Sequence, residues 1–225
     1  MKRYIRSNID DSIFNENPCE RAKLAQRTSD PELLDIYRYD PDIDVRRSVM
    51  ENPNIDESTI ADMVREYVID DFEEEHDCTL WSAATNPKCP VDVFLDRYKQ
   101  DPEDAHIREA LAHHPNAPVE LLREFADDEN YDVRIDVAEN PSTPQDILIM
   151  LSESADYDGY IHSAISRNPS TPVDVLVRMS KSRNPDLRLG VADNPSTPLD
   201  IVAQLVNDSE KYVSNVAKEA LARRQ

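Results

Sequence analysis

The sequence predicts an all-α protein assembled as a solenoid of short helix pairs, and three observations carry that prediction. Glycine is nearly absent: the 225 residues contain only Gly159 and Gly190. Tight hairpins favour glycine where the backbone takes positive φ, so a strand-rich architecture is disfavoured. An Asn-Pro dipeptide recurs at Asn52-Pro53, Asn86-Pro87, Asn140-Pro141, Asn168-Pro169 and Asn194-Pro195, with His114-Pro115 as a variant copy, at intervals of 34, 28, 26, 28 and 26 residues. Each copy stands between two segments whose apolar residues fall at helical spacing.

The segment after each dipeptide reads as a first helix. In Thr143-Pro144-Gln145-Asp146, threonine is expected at the N-cap. Proline at N1 loses nothing there, and aspartate at N3 faces the positive helix end. The same signal stands at Thr171-Pro172-Val173-Asp174 and Thr197-Pro198-Leu199-Asp200. Weaker copies at Cys89-Pro90-Val91-Asp92 and Ala117-Pro118-Val119-Glu120 lack a capping hydroxyl. Behind the starts, Ile147, Leu148 and Leu151, then Val175, Leu176 and Met179, then Ile201, Val202 and Leu205 each form one stripe.

The segment before each dipeptide reads as a second helix. Val45, Val49 and Met50 share one face, as do Ile107, Leu111 and Ala112, Val133, Val137 and Ala138, and Leu187, Val191 and Ala192. It is expected to end at the asparagine. A residue before proline is pushed out of the α region, and asparagine tolerates irregular conformations at a helix terminus.

Helices of about 8 to 10 residues cannot bury their apolar faces alone, so consecutive pairs should stack into a wound rod with a thin continuous core. Such a core suits a chain that is 39% apolar and 32% charged. We count six pairs from Asp30 to Ala222 and expect three parts: a divergent N-terminal cap over 1–27, repeats over 28–209 and a C-terminal capping helix over 210–225. The cations near the end of that last helix suit its dipole.

The units Asp40 to Pro53 and Tyr131 to Pro144, with their shared apolar-Arg-x-x-apolar and Asn-Pro pattern, resemble the variant leucine-rich repeats, a HEAT-like α-solenoid family. The resemblance covers roughly residues 28 to 222 and implies a right-handed superhelical solenoid. It says little about function. The family's units are shorter than the 26- to 34-residue intervals here, so copies in this chain carry insertions. Some members bind an amino-terminal iron-sulfur cluster through closely spaced cysteines. Only Cys19 lies in that region, so the cluster is not carried over.

Composition narrows the function. With two glycines, no phosphate-cradling GxGxxG or GxxxxGK[ST] loop and no GxSxG turn exists. The formal net charge is −21, from 25 Lys plus Arg against 46 Asp plus Glu. Such a surface repels phosphates, so direct nucleic-acid binding is not expected. The opening MKRYIRSNIDDSIF lacks an apolar run behind its cations, so we expect no signal peptide and no membrane span. Cys19, Cys78 and Cys89 are an odd number of thiols, fitting a reducing, cytoplasmic setting.

Arg46, Arg108, Arg134 and Arg188 recur with the repeat. They are expected to bond neighbouring carbonyls or aspartates of adjacent units rather than to form a recognition ladder. His76, Cys78 and Cys89 lack metal-ligand spacing, so no metal or other cofactor is expected. His113 and His114 read as cations capping a helix end. Glu153 to Gly159, with Tyr157 and Tyr160, reads as an inserted loop.

The sharpest candidate is the stretch after Glu66, where Asp70, Asp71, Glu73, Glu74, Glu75 and Asp77 crowd together with Tyr67, Phe72 and the sole tryptophan, Trp81. Neither lysine nor arginine occurs between Glu66 and Pro87. An acidic run is commonly a solvated face. Aromatics interleaved with carboxylates also suit a docking element for a basic protein partner. No spacing pairs two carboxylates across a cleft, so no catalytic residues are assigned. The expectation is a non-catalytic acidic repeat scaffold that mediates protein-protein interaction. The alternative is an inhibitor that mimics nucleic acid and occupies the phosphate channel of a DNA- or RNA-handling enzyme.

Overall fold

The computed structural model describes residues 17–66, 79–154 and 159–224. Among these the secondary structure is fifteen α-helices and no strand. The chain divides between His114 and Pro115 into two units. The first holds α1 (Pro18–Arg27), α2 (Pro31–Tyr37), α3 (Ile43–Glu51), α4 (Glu57–Glu66), α5 (Thr79–Thr85), α6 (Val91–Gln100) and α7 (Ala105–His113). The second holds α8 (Val119–Phe125), α9 (Tyr131–Glu139), α10 (Gln145–Glu153), α11 (Tyr160–Arg167), α12 (Val173–Met179), α13 (Pro185–Asp193), α14 (Leu199–Leu205) and α15 (Lys211–Arg223). No described helix is long and apolar enough to cross a membrane.

Each unit has two layers. In the first, α1, α3, α5 and α7 pack successively on one another, while α2, α4 and α6 lie against the second helix that follows each. In the second, α9, α11, α13 and α15 form the directly stacked layer, and α8, α10, α12 and α14 pack on it from one side. The expected stripes are the core: Val133, Val137, Ala138, Ile147, Leu148, Leu151, Leu176, Val191 and Val202 are all buried. The stacked layer is close because small side chains line it. A methyl group added at Gly190 of α13 would sit 1.9 Å from Ser166 Oγ and 2.8 Å from Ser166 Cβ of α11.

Second helices begin as capping chemistry requires. Asp42, Asp104, Asn130 and Asn184 each accept an amide hydrogen from the first turn of α3, α7, α9 and α13. First helices begin differently from expectation. Pro90, Pro118, Pro144, Pro172 and Pro198 stand at the N-caps with no side-chain cap bond. The threonines before three of them point backwards. Thr143, Thr171 and Thr197 donate their hydroxyls to the carbonyls of Val137, Ile165 and Val191 at 2.6, 2.6 and 2.7 Å. Those carbonyls belong to the last turns of α9, α11 and α13, where helical donors run out, although that of Ile165 also accepts the Asn168 amide at 3.2 Å. The threonines are 0 to 2% exposed, and a buried hydroxyl must be paired. They therefore finish the preceding helix instead of starting the next.

The asparagines also have a different reason from the one the sequence suggested. Asn140, Asn168 and Asn194 take ordinary extended backbone angles, φ −63° to −66° and ψ 119° to 124°, which ask for no tolerance of the left-handed region. Their amides are what the fold uses. Asn168 Nδ2 donates to the carbonyls of Ala138 and Asn140 at 2.7 and 2.8 Å, and Asn194 Nδ2 donates to Ser166 and Asn168 at 2.9 and 2.8 Å. Within the first unit, Asn86 reaches Met50 and Asn52 in the same way, and Asn52 reaches Ala25 and Thr28. Each Oδ1 accepts the amide hydrogen two residues on, as from Ser170 and Ser196 at 2.8 and 2.9 Å. One buried side chain thus closes its own turn and fastens it to the preceding repeat.

Candidate functional site

Of the residues singled out for docking, Tyr67, Asp70, Asp71, Phe72, Glu73, Glu74 and Glu75 lie outside the described residues, as do His76, Cys78 and Tyr157. Trp81 is described. It stands on α5, whose Leu80, Ala83 and Ala84 are buried, and this fixes the opposite face outward. The indole is 43% exposed, and its ring lies 4.6 Å from the His113 ring of α7 at a tilt of 44°. On the same helix Ser82 donates to Glu51 of α3 at 3.1 Å. The result is an aromatic pair on the directly stacked helices α5 and α7. Sequence reading missed the pairing, although the register contains it. Trp81 precedes its Asn-Pro by five positions and His113 precedes its His-Pro by one, and their helices α5 and α7 pack directly on each other.

His113 and His114 differ sharply in role. His114 is 1% exposed, with Nε2 3.0 Å from the Cys89 carbonyl and its ring 5.8 Å from that of Phe94. A carbonyl only accepts, so Nε2 carries the hydrogen. Burial lowers the pKa below the ordinary imidazole value, outweighing the carbonyl bond that favours protonation. The expected capping cation at position 114 is therefore a buried polar link that stands in for asparagine. Cys89, expected at an N-cap, is also buried, with Pro90 at the cap instead. Burial pushes its thiol up to about 12, far from a reactive thiolate.

The arginine series matches its expected structural role. Arg46 bonds the carbonyls of Asp40 and Pro41 at 2.8 and 3.0 Å, Arg108 that of Pro102 at 3.0 Å, Arg134 those of Asp128 and Glu129, and Arg188 those of Ser182 and Arg183. All these carbonyls lie five or six residues earlier, in the loop that leads into the arginine's own helix. Arg188 also grips Asp208 with two bonds of 2.7 and 2.8 Å. This pairing holds the Asp208 carboxyl below its usual range and raises the Arg188 pKa. Arg21 and Asp40 form the same bidentate pair at 2.8 and 2.9 Å.

A groove is lined by Arg65, Val93, Asp96, Arg97, Gln100, Asp101 and Asp104 of α4, α6 and the loop after it. Arg97 bonds the Val64 carbonyl at 2.9 Å, Lys99 pairs with Asp96 at 3.1 Å, and Asp104 caps α7. Local structure accounts for these polar groups.

No curated protein matches the sequence. Among solved structures, the chain is similar to one described as a leucine-rich repeat variant with a novel repetitive protein structural motif. The identity is 19%, with 94% of this chain and 84% of that chain covered and a TM-score of 0.43. The leucine rich repeat variant family model matches residues 105–130, which span α7, the His-Pro turn, α8 and the loop after it. The similarity to the leucine rich repeat variant family is thus to one unit, residues 105–130.

Proposed function

We propose that the protein is a non-catalytic acidic scaffold that holds the basic surface of a protein partner. One observation supports the reading above others: arginines are consumed by the scaffold itself. Arg46, Arg108, Arg134 and Arg188 are tied to loop carbonyls, and Arg21 is paired while 2% exposed. These arginines keep their charge but serve the scaffold rather than form a cationic recognition ladder, and with a formal net charge of −21 the field of the chain attracts cationic partners over a Debye length. Trp81, 43% exposed beside His113, supplies the kind of rigid aromatic anchor that concentrates binding energy. The acidic segment Asp70 to Glu75 stands just before it in sequence. In this reading, residues 1–27 and 210–225 cap the repeat array, the setting is the cytoplasm, and nucleic acid is not bound directly.

The test is affinity capture from native lysate at low and high salt, with the Tyr67→Ala, Phe72→Ala, Trp81→Ala triple variant as control. A specific partner that is lost at high salt and lost with the variant, whose circular dichroism stays native, is the expected result. Capture that survives both changes overturns the docking element. Displacement of the partner by added DNA overturns the scaffold reading in favour of phosphate mimicry.

A further inference from the structure

The second unit presents a face that its own packing leaves unexplained. Helices α8, α10, α12 and α14 each bury one stripe against the stacked layer: Leu122 and Phe125, Ile147 and Leu151, Val175 and Met179, Ile201 and Leu205. Their exposed sides are not simply polar. Val119, Met150, Val173 and Leu199 are 42, 46, 50 and 44% exposed, half of the eight large exposed hydrophobics among the described residues. Val119, Val173 and Leu199 occupy the same first helical position of their repeats, the position Gln145 holds in α10. Gln145 shows that a polar side chain fits there, so neither helix formation nor solubility asks for the aliphatic ones.

Beside each of these positions is an exposed carboxylate: Glu120, Asp146, Asp174 and Asp200. The cations on the same face are already engaged. Arg123 pairs with Asp146 at 2.8 Å, and Arg178 donates to Ser152 Oγ. The face is therefore apolar and acidic together, repeated at the period of the fold. The asparagine links of the stacked layer hold that period.

We propose that this face docks an amphipathic cationic segment of a protein partner, whose apolar side chains cover Val119, Val173 and Leu199 while its lysines or arginines meet the carboxylate row. The charge selects that occupant. A second copy of this chain laid face to face would bring carboxylates against carboxylates, and an anionic lipid surface would be repelled. The four helices are carried by the directly packed layer α9, α11, α13 and α15; at packed-helix spacings of about 10 Å that layer spans ~30 Å, the length of a helix of about 20 residues. The inference rests on the scaffold reading above but uses different residues from its Trp81 element.

The experiment uses the full chain and a fluorescently labelled amphipathic helix of leucine and lysine, about 20 residues long, with binding read by anisotropy at low and high salt. Four variants are compared, each checked for native circular dichroism: Val119→Ser, Val173→Ser, Leu199→Ser together; Glu120→Gln, Asp174→Asn, Asp200→Asn together; Leu24→Ser alone, an exposed apolar position of α1; and Trp81→Ala alone. The expected result is a loss of about tenfold or more in affinity for the first two, a flatter salt dependence for the second, and no change for the last two. Amide shifts on titration should map to α8, α10, α12 and α14. Unchanged affinity in the first two variants overturns the proposal. If only Trp81→Ala weakens binding, this face is overturned while the Trp81 element stands. Self-association by analytical ultracentrifugation that disappears with the serine variant assigns the face to a second copy instead. Stronger binding to phosphatidylglycerol vesicles than to the peptide, lost in the serine variant, assigns it to lipid. Either result overturns the proposal.

Discussion

Replacing Asn168 tests the central structural claim, that buried amides fasten one repeat to the next. Asn168 is 2% exposed and makes three bonds: two donated, to Ala138 and Asn140, and one accepted, from the Ser170 amide. At about 1 kcal/mol net for each buried hydrogen bond, Asn168→Ala should cost ~3 kcal/mol, and more where a carbonyl is left dry. Against a typical domain stability of ~5 to 15 kcal/mol, that is a large fraction. Asn168→Asp separates the chemistry from the volume. The side chain is isosteric, yet it turns both donated bonds into contacts between acceptors, so it should cost at least as much as alanine. Urea unfolding followed by far-ultraviolet circular dichroism gives both values, and hydrogen exchange at the Ser170 amide reports the accepted bond. A cost below about 1 kcal/mol for either variant would refute the claim that these amides hold the repeats together.

Two further outcomes follow from the packing. Gly190→Ala should destabilise by about 1 to 3 kcal/mol through overpacking against Ser166, although alanine ordinarily favours a helix interior over glycine by ~1 kcal/mol. Thermal melts of Gly190→Ala with and without Ser166→Gly check the sign, because the second change returns the space. The His114 pKa is lowered by burial from 6.5. Its contribution to stability is therefore complete above that value and declines as pH falls below it, since the unfolded chain then binds a proton the folded one resists. Urea midpoints at several pH values should show this decline in the wild type and less of it in His114→Asn, which restores the residue found at the other repeats.

The helix pairs were legible because their signals are local. Spacing of apolar residues placed Ile147, Leu148 and Leu151 in the core, where they are buried. The recurrence of Arg46, Arg108, Arg134 and Arg188 marked a structural role that their loop-carbonyl bonds fulfil. Capping was read less well. A Thr-Pro pair looks like a helix start, but burial against the preceding helix turned Thr143, Thr171 and Thr197 back to its last carbonyls. His114 read as a cation because its distance from Cys89 along the chain concealed their contact.

From sequence alone came the all-helical class, the repeat boundaries, the excess of acid and the sole tryptophan, all properties of neighbouring residues or of simple sums. Tertiary structure decided which polar groups are buried, what each asparagine, threonine and histidine bonds, that Trp81 meets His113, and that Val119, Val173 and Leu199 face outward. The physical reason is range. Helix periodicity is set within a few residues, whereas desolvation and the partner of a buried polar atom depend on a neighbouring repeat that enters the environment only once the layers have packed.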